Sequence, residues 1–331
     1  MQSASPAKSA SEGALSYLPV SLFGSVMGLT GLALAWRLAH THFSSPIWVA
    51  DIVSILAQAA FFALAVAYLV KIIFSFDHVK KEFAHPIAGN MFGTFAISLL
   101  LIPILLADIN LVLARVVWSI GAVAMVFLAW LMVTRWISVR QATAHATPAW
   151  IVPVVGMIDI PLALPALGWA KDFHEIMIFA MAVGLFFALP LFTIIFFRLI
   201  FDEPIPDALQ PSLLILVAPF AVGFSAYAAT VGTIDGFAVA LYMLMLFVLA
   251  VLFARIRNLR RCCPFRVSWW AVSFPLAASA SAALKYALFS KSPTADVIAI
   301  CLLGLASLVI GFIAVRTVIG ILRGELRTLS S

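Results

Sequence analysis

Charged residues are scarce in this sequence of 331 residues: 10% are Asp, Glu, Lys or Arg, whereas 64% are hydrophobic. The mean hydropathy is +1.14, higher than the core of a water-soluble protein requires. Apolar surface in this proportion is stable in a lipid bilayer rather than in water. The composition therefore excludes an ordinary soluble domain and indicates a protein that crosses a membrane several times.

The chain also has few residues that could build a redox, metal or catalytic centre. Its three cysteines, Cys262, Cys263 and Cys301, imply no disulfide framework and are expected to be reduced. No phosphate-binding loop of the form G-x-x-x-x-G-K-[ST] is present, so ATP is not expected to drive the protein. The sequence therefore predicts a protein that is not an enzyme and that has neither a cofactor nor a metal site.

The histidines support the same conclusion because none is placed at membrane depth. All six fall in predicted loops or at the ends of apolar stretches: His40, His42, His78, His85, His145 and His174. A haem or a metal ion inside the bilayer would need such ligands within a span. An intramembrane redox centre is therefore not expected.

Ten apolar stretches of about 20 residues are long enough, at about 1.5 Å per residue, to cross the hydrocarbon as helices. We number them spans 1 to 10; they cover roughly residues 16–38, 47–74, 86–107, 111–134, 149–168, 175–198, 211–231, 236–255, 268–289 and 295–322. The alternation that marks a membrane β-barrel is absent. The first stretch lacks a signal-peptide cleavage site and is expected to remain as span 1. The sequence thus predicts an all-α polytopic membrane protein.

The flanks and the charge distribution predict how the chain is oriented. Residues 1–15, rich in Ser and Ala, are expected to be a disordered cytoplasmic tail, 16–322 the membrane domain, and 323–331 a second cytoplasmic tail. With the amino terminus inside, fifteen Lys and Arg residues face the cytoplasm and five face outward: Arg37, Arg115, Lys171, Lys285 and Lys291. The positive-inside rule therefore predicts both termini in the cytoplasm of a cell that carries the protein in its inner (plasma) membrane.

The same distribution explains the formal net charge of +6 without a nucleic-acid partner. Cytoplasmic Lys and Arg residues set the topology and contact anionic lipid head groups. No groove-reading module accompanies the charge, so binding to nucleic acid is not expected. Membrane lipids are the predicted partners of these residues.

The odd-numbered spans carry prolines followed by small residues, and the even-numbered spans mostly do not. The pairs are Pro19 with Gly24, Pro153 with Gly156, Pro219 with Gly223, and Pro275 with Ser279; span 3 departs from the pattern, with Gly93 early and Pro103 late. A proline removes a backbone hydrogen bond, and the carbonyl that it frees must face a cavity or another helix. The repeat therefore predicts five helical hairpins in a ring, with the odd helices lining a central pore.

Two of these features have alternative interpretations. Gly24 and Gly28 of span 1 have the small-xxx-small spacing that serves close helix packing, but they could also line the pore. In span 9, Phe274 directly precedes Pro275 and a run of small residues. This order predicts a helix that bends at about Phe274 around an opening and points one ring into it. The alternative for Phe274 is an ordinary packed aromatic side chain.

Asp159 lies near the middle of span 5, where an ionised side chain costs about 2.5–3.5 kcal/mol on insertion scales. In the functional interpretation, it is a pore-facing carboxylate that tunes permeation or takes up a proton together with the solute. In the structural interpretation, it is an acid that fastens span 5 to a neighbour, for example through Ser or Thr. The sequence leaves both open.

Four phrases, in order along the chain, carry a resemblance to a known family: PVSLFGSVMGLTGLALAWR in span 1, PAWIVPVVG in span 5, APFAVGFSAY in span 7 and WWAVSFPLA in span 9. The chain resembles the tellurite-resistance/dicarboxylate transporter family, which includes bacterial TehA and the plant guard-cell slow anion channels, over about residues 18–321. The resemblance implies a homotrimer with one pore in each protomer, lined by the odd helices. It also implies a phenylalanine plug at the position of Phe274; Pro275 stands where the bacterial TehA pattern has glycine.

The resulting expectation is an anion channel for small monovalent anions such as nitrate and chloride, gated by Phe274. No Lys or Arg lies in the middle of an odd span, so attraction would come from peptide dipoles and hydroxyl groups. Such weak ligands favour anions that lose water easily. The alternative is a proton-coupled transporter or exporter of an oxyanion or dicarboxylate such as malate, sulfite or tellurite. A receptor or structural protein without flux would leave the proline-bearing odd spans unexplained.

Overall fold

The computed structural model describes residues 15–262 and 265–330, with the backbone alone for 254–262 and 330. These residues form helices and no strands. Nine helices in this part of the chain are long and apolar enough to cross a membrane; they are spans 1 to 4 and 6 to 10: Val20–Phe43, Ile47–Phe74, Ala88–Leu106, Leu111–Ser138, His174–Phe201, Asp207–Val231, Gly236–Phe253, Val267–Ser290 and Pro293–Leu322. The predicted all-α polytopic membrane fold is confirmed.

Span 5 is shorter than the sequence suggested and runs from Pro148 to Ala163. It is made of four single turns, alternately 3₁₀ and α: Pro148–Ile151, Val152–Val155, Gly156–Asp159 and Ile160–Ala163. Pro153 and Pro161 each lie in the first turn of an α segment. Backbone N–H groups of a first turn have no intrahelical acceptor, so the N–H that proline lacks costs no hydrogen bond there. The helix ends before Pro165 because a residue that precedes proline disfavours the helical conformation.

The odd spans pack on one another in a cyclic order. Span 1 contacts span 3, span 3 contacts span 5, span 5 contacts span 7, span 7 contacts span 9, and span 9 returns to span 1. Each even span packs on the odd span before it. In the long odd spans, 67–83% of the most apolar window is buried within the protein, against 17–33% in the even spans. The even spans therefore shield the odd ones.

Each odd span begins with a 3₁₀ segment: Val20–Phe23, Ala88–Met91, Pro148–Ile151, Asp207–Val217 and Val267–Val272. The even spans are continuous α-helices. In span 9 the α segment starts at Ser273, so the helix type changes next to Phe274, where a bend is predicted. A 3₁₀ stretch within a longer helix often marks a functional hinge.

Spans 1 and 9 approach each other closely at Gly28. A Cβ atom on Gly28 would overlap the Oγ and Cβ atoms of Ser273. The Ser273 hydroxyl donates to the carbonyl of Gly24 at 3.2 Å and to that of Trp270 at 2.7 Å. Small residues thus allow the two backbones to approach, and the Ser273 side chain bonds to the backbone of span 1. This contact sets the position of Phe274, the next residue in span 9.

A buried ion pair fixes the start of span 1. Lys71, at the end of span 2, is 2% exposed, and its Nζ donates to the carbonyl of Leu18 and to Oε2 of Glu82, both at 2.6 Å. Glu82 belongs to the short helix Phe76–Ala84, and its Oε1 accepts a hydrogen bond from the backbone N–H of Val20 at 2.7 Å. A buried charge pair whose oxygens are also hydrogen-bonded holds its geometry firmly. The Phe76–Ala84 helix therefore anchors the first 3₁₀ segment.

The two predicted tails differ in what the structure says of them. Of the predicted disordered tail, residues 1–15, all but Leu15 lie outside the described residues, as do Cys263 and the side chain of Cys262. In the second tail, residues 326–330 form a short helix. A Cβ atom on Gly320 would overlap Leu329, so this helix packs on the end of span 10. Part of the second tail is thus folded against the membrane domain.

Candidate functional site

A cavity of about 270 Å³ lies between the odd spans. Each odd span contributes lining residues, and the even spans contribute none; His85 and Thr147 come from the connections that lead into spans 3 and 5. The cavity lies toward the end of the bundle at which the odd spans begin. We call this the basic end, because the sequence places fifteen of the Lys and Arg residues there. The cavity is therefore enclosed by parallel helices that all start at this end.

The residues that line the cavity change from exposed to buried along the odd spans. At the basic end it is lined by His85, which is exposed, and by the partly buried Leu209. At the deep end, the lining consists of one residue or two from each odd span: Met27, Ile97, Ile158, Asp159, Val222, Phe274 and Pro275. At the deep end, the lining residues of spans 1, 3, 7 and 9 belong to α segments, whereas Ile158 and Asp159 of span 5 belong to its second 3₁₀ turn.

Phe274 is the aromatic side chain at the deep end. It is the second residue of the α segment of span 9 and is 8% exposed. Its ring lies beside Gly31 of span 1, where an added Cβ atom would be 3.7 Å from Cδ2. Pro275, the next residue, also lines the cavity. Phe274 and Pro275 thus both lie on the cavity between the odd spans.

Asp159 is the acidic side chain in the lining. It ends the second 3₁₀ turn of span 5, is 2% exposed, and its Oδ1 has no hydrogen-bond partner among the described residues. The structure thus gives no support to the interpretation that Asp159 fastens span 5 through Ser or Thr. A buried polar atom without a protein partner is usually hydrated, so we expect this oxygen to bind solvent or solute from the cavity.

The remaining lining is largely apolar, with a few hydroxyl groups. Thr94 donates to the carbonyl of Met91 at 2.7 Å and Ser212 to that of Leu209 at 2.6 Å. Thr147 Oγ1 and Ser268 Oγ are buried and have no such partner. Among the described residues, no Lys or Arg belongs to the lining. The lining therefore offers an anion hydroxyl groups and backbone dipoles in place of cationic side chains.

Of the other residues that the sequence singled out, three glycines serve close packing. The missing Cβ atoms of Gly28, Gly93 and Gly223 make room for Ser273, Val152 and Leu185, respectively. None of the three lines the cavity. Gly24 and Gly156, in contrast, do line it. In span 1, Gly28 thus packs against span 9, whereas Gly24 lies on the cavity.

The prolines and Ser279 lie in, or directly before, the spans that enclose the same cavity. Pro19 precedes the first 3₁₀ segment, and Pro153 and Pro219 occupy first turns of α segments. Pro103 lies within the α segment of span 3. Ser279 is buried and donates to the carbonyl of Pro275, one turn earlier, at 2.7 Å. Apart from Pro275, these residues shape the spans without lining the cavity.

Sequence reasoning missed several lining residues. Met27, Ile97 and Val222 at the deep end are ordinary apolar residues whose role depends on which helix face points inward. Thr147 could have been found, because it directly precedes Pro148 at the start of span 5. The part of the chain that the structure describes contains no group of His, Cys, Asp and Glu side chains that could hold a metal ion.

Comparison with known proteins places the chain in a family. The family model described as voltage-dependent anion channel matches residues 17–318. The S-type anion channel SLAH3 of Arabidopsis thaliana is 30% identical over 313 residues, which cover 91% of this chain and 48% of that protein. The guard cell S-type anion channel SLAC1 of the same plant is 26% identical over 280 residues, covering 81% and 50%. The chain thus spans about half the length of these plant relatives.

A bacterial relative matches along nearly its whole length. The tellurite resistance protein TehA homolog of Haemophilus influenzae is 25% identical over 320 residues, which cover 93% of this chain and 92% of that protein. The match over residues 17–318 includes spans 1 to 9, most of span 10 and each segment that lines the cavity. The chain is therefore a multi-pass membrane protein that belongs to the voltage-dependent anion channel family.

Proposed function

We propose that the chain is a channel that conducts small monovalent anions, such as nitrate and chloride, through a pore in each protomer of a homotrimer. The observation that carries the proposal is the cavity enclosed by the odd spans, with Phe274 at its deep end. We further propose that the protein lies in the inner (plasma) membrane with the basic end and both termini in the cytoplasm. The charge distribution of the sequence supports this orientation.

The direction of the odd spans supports attraction of anions to the basic end. All five begin there, so the positive ends of their helix dipoles point toward the wide part of the cavity. The hydroxyl groups of Thr147 and Ser268 add donors without a fixed charge. Donors of this kind bind an anion weakly, so the loss of water from the anion should determine how easily it passes.

A flux assay on purified protein in liposomes tests this proposal. In the Phe274→Ala variant, we expect nitrate to pass several-fold faster than chloride, and gluconate to be nearly excluded, because nitrate sheds water more readily and gluconate is too large. The reversal potential is expected to follow the gradient of the anion alone. Absence of anion flux both in this variant and in the parent, with the protein correctly inserted, would contradict the channel.

The second candidate is a proton-coupled transporter of an oxyanion or dicarboxylate such as malate, sulfite or tellurite. The unpartnered carboxylate of Asp159 on the cavity favours it, because such a group could carry a proton with the solute.

Replacing Asp159 by asparagine separates the two candidates. For a channel, we expect the Asp159→Asn variant to conduct at least as well as the parent, since a negative charge on the pathway is removed, and a pH gradient to leave the reversal potential unchanged. Asp172→Asn, at an exposed carboxylate, is the control. Uphill malate or sulfite uptake that is driven by a pH gradient and is lost in Asp159→Asn would establish the transporter instead.

A further inference from the structure

Arg198, in the last turn of span 6, is a buried cation that the described residues leave largely unpaired. It is 3% exposed, and its Nε and Nη1 atoms have no hydrogen-bond partner among these residues. Other basic side chains of the spans are differently placed. Arg115 donates to the carbonyl of Leu167, Arg135 donates to those of Phe83 and Ala84, and Lys71 pairs with Glu82. Desolvating a charge without a partner costs free energy, so Arg198 requires an explanation.

Arg198 lies on the face of span 6 that packs on span 5. The buried residues of this helix recur every three or four positions: Met177, Ala180, Gly184, Ala188, Leu191, Ile195 and Arg198. Gly184, on the same stripe, is in close contact with span 5, since an added Cβ atom there would overlap Ile158 and approach the carbonyl oxygen of Val155 at 3.2 Å. The buried stripe of span 6 therefore follows span 5 toward the basic end and places Arg198 against span 5.

The level of Arg198 along span 5 follows from the helix rises. Arg198 is fourteen residues beyond Gly184, which corresponds to about 21 Å along an α-helix. Thr147 is eleven residues before Ile158, or about 17–22 Å for a mixture of α and 3₁₀ turns. Because spans 5 and 6 are antiparallel, the two distances run in the same direction. Arg198 and Thr147 thus lie at the same level, at the basic end of the cavity.

Thr147 is itself a buried donor that faces the cavity. It is 1% exposed, its Oγ1 has no hydrogen-bond partner, and it belongs to the lining. A guanidinium group has donors and no acceptor, and a hydroxyl group can donate. A ligand that satisfies both must offer acceptors and, to balance the guanidinium charge, must be negative.

We propose that Arg198 and Thr147 form an anion-binding site at the basic end of the cavity, which takes a small monovalent anion such as nitrate or chloride before it reaches the deep end. The inference rests on the proposed function, because its ligand is the permeant anion. Arg198 supplies the positive charge that the cavity lining lacks. Arg198 does not itself line the cavity, so its charge attracts an anion without trapping it as a close ion pair would.

Two measurements on Arg198→Gln test the site. The first is the rise in unfolding temperature of the purified protein when gluconate is replaced by nitrate; it is expected in the parent and lost in the variant. The second is the nitrate concentration for half-maximal current in the Phe274→Ala background, which is expected to rise about tenfold. Arg198→Lys keeps the charge and should restore most of both effects, whereas Thr147→Val should raise the half-maximal concentration about two- to threefold.

Arg135→Gln is the matched control, because Arg135 occupies the last turn of span 4 but donates to backbone carbonyls. It should keep the parent's nitrate response. Parental values of both measurements in Arg198→Gln would overturn the site; if that variant does not fold, parental values in Thr147→Val would do so. A nitrate-dependent unfolding temperature that is lost in Arg198→Gln, together with no current in any variant, would support the site and contradict the channel.

Discussion

Replacing Phe274 by alanine is expected to raise the anion current at least about tenfold for the same amount of protein in the membrane. In the proposed channel, the ring at the deep end of the cavity, together with Met27, Ile97 and Val222, narrows the path to a largely apolar constriction. Water leaves such a constriction readily, and an anion must then pass without its hydration shell. Removing the ring restores water, and a tenfold gain requires a barrier lower by only about 1.4 kcal/mol.

The anion current is expected to increase as the side chain at position 274 becomes smaller. Phe274→Leu keeps part of the apolar volume, so its current is expected to lie between those of the parent and the alanine variant. Phe224→Ala is the matched control, since Phe224 is also buried, in span 7, but does not line the cavity. Both currents are measured in planar bilayers at equal protein density. A current in Phe274→Ala no larger than in Phe224→Ala would show that the ring does not close the path.

The Gly28→Ala variant is expected to lose about 1–3 kcal/mol of stability, which would lower its unfolding temperature in detergent. The added Cβ atom would overlap the Cβ and Oγ atoms of Ser273, and neither atom belongs to the far end of a flexible side chain. Spans 1 and 9 would have to separate. Because Phe274 follows Ser273, we also expect the variant to leak anions if it assembles.

A second substitution tests whether this overlap is the cause. Ser273→Gly removes both overlapping atoms, so the double variant Gly28→Ala/Ser273→Gly should be more stable than the two single effects predict when added. Gly304→Ala in span 10 is the control, because an added Cβ atom there meets no neighbour within 4 Å. Its unfolding temperature is expected to match that of the parent. Additive effects of the two substitutions would show that the contact between spans 1 and 9 does not determine stability.

The division between odd and even spans was visible in the sequence because proline has a local and unavoidable effect on backbone hydrogen bonding. Pro153, Pro219 and Pro275 each mark the first turn of an α segment after a 3₁₀ segment. The 3₁₀ segments themselves were not predicted. Over segments of four to eleven residues, periods of 3.0 and 3.6 can hardly be distinguished from side chains alone, and most residues of these spans are apolar.

The candidate site was only partly predictable, for reasons of tertiary packing. Phe274 and Asp159 stood out because an aromatic residue next to proline and an acid at membrane depth are unusual in an apolar stretch. Arg198 and Thr147 did not, since their importance comes from being buried without partners, which depends on the contact between spans 5 and 6. The end of span 5 at Ala163 was misplaced because hydropathy continues past Pro165.

The long 3₁₀ segment at the start of span 7 has a geometric consequence for a solute. With three residues per turn, side chains separated by three positions are stacked in a straight column. Leu209, Ser212, Ile215 and Ala218 form that column on the cavity wall. A solute that moves along it meets a new side chain about every 6 Å, in single file, with Ser212 as the one polar step.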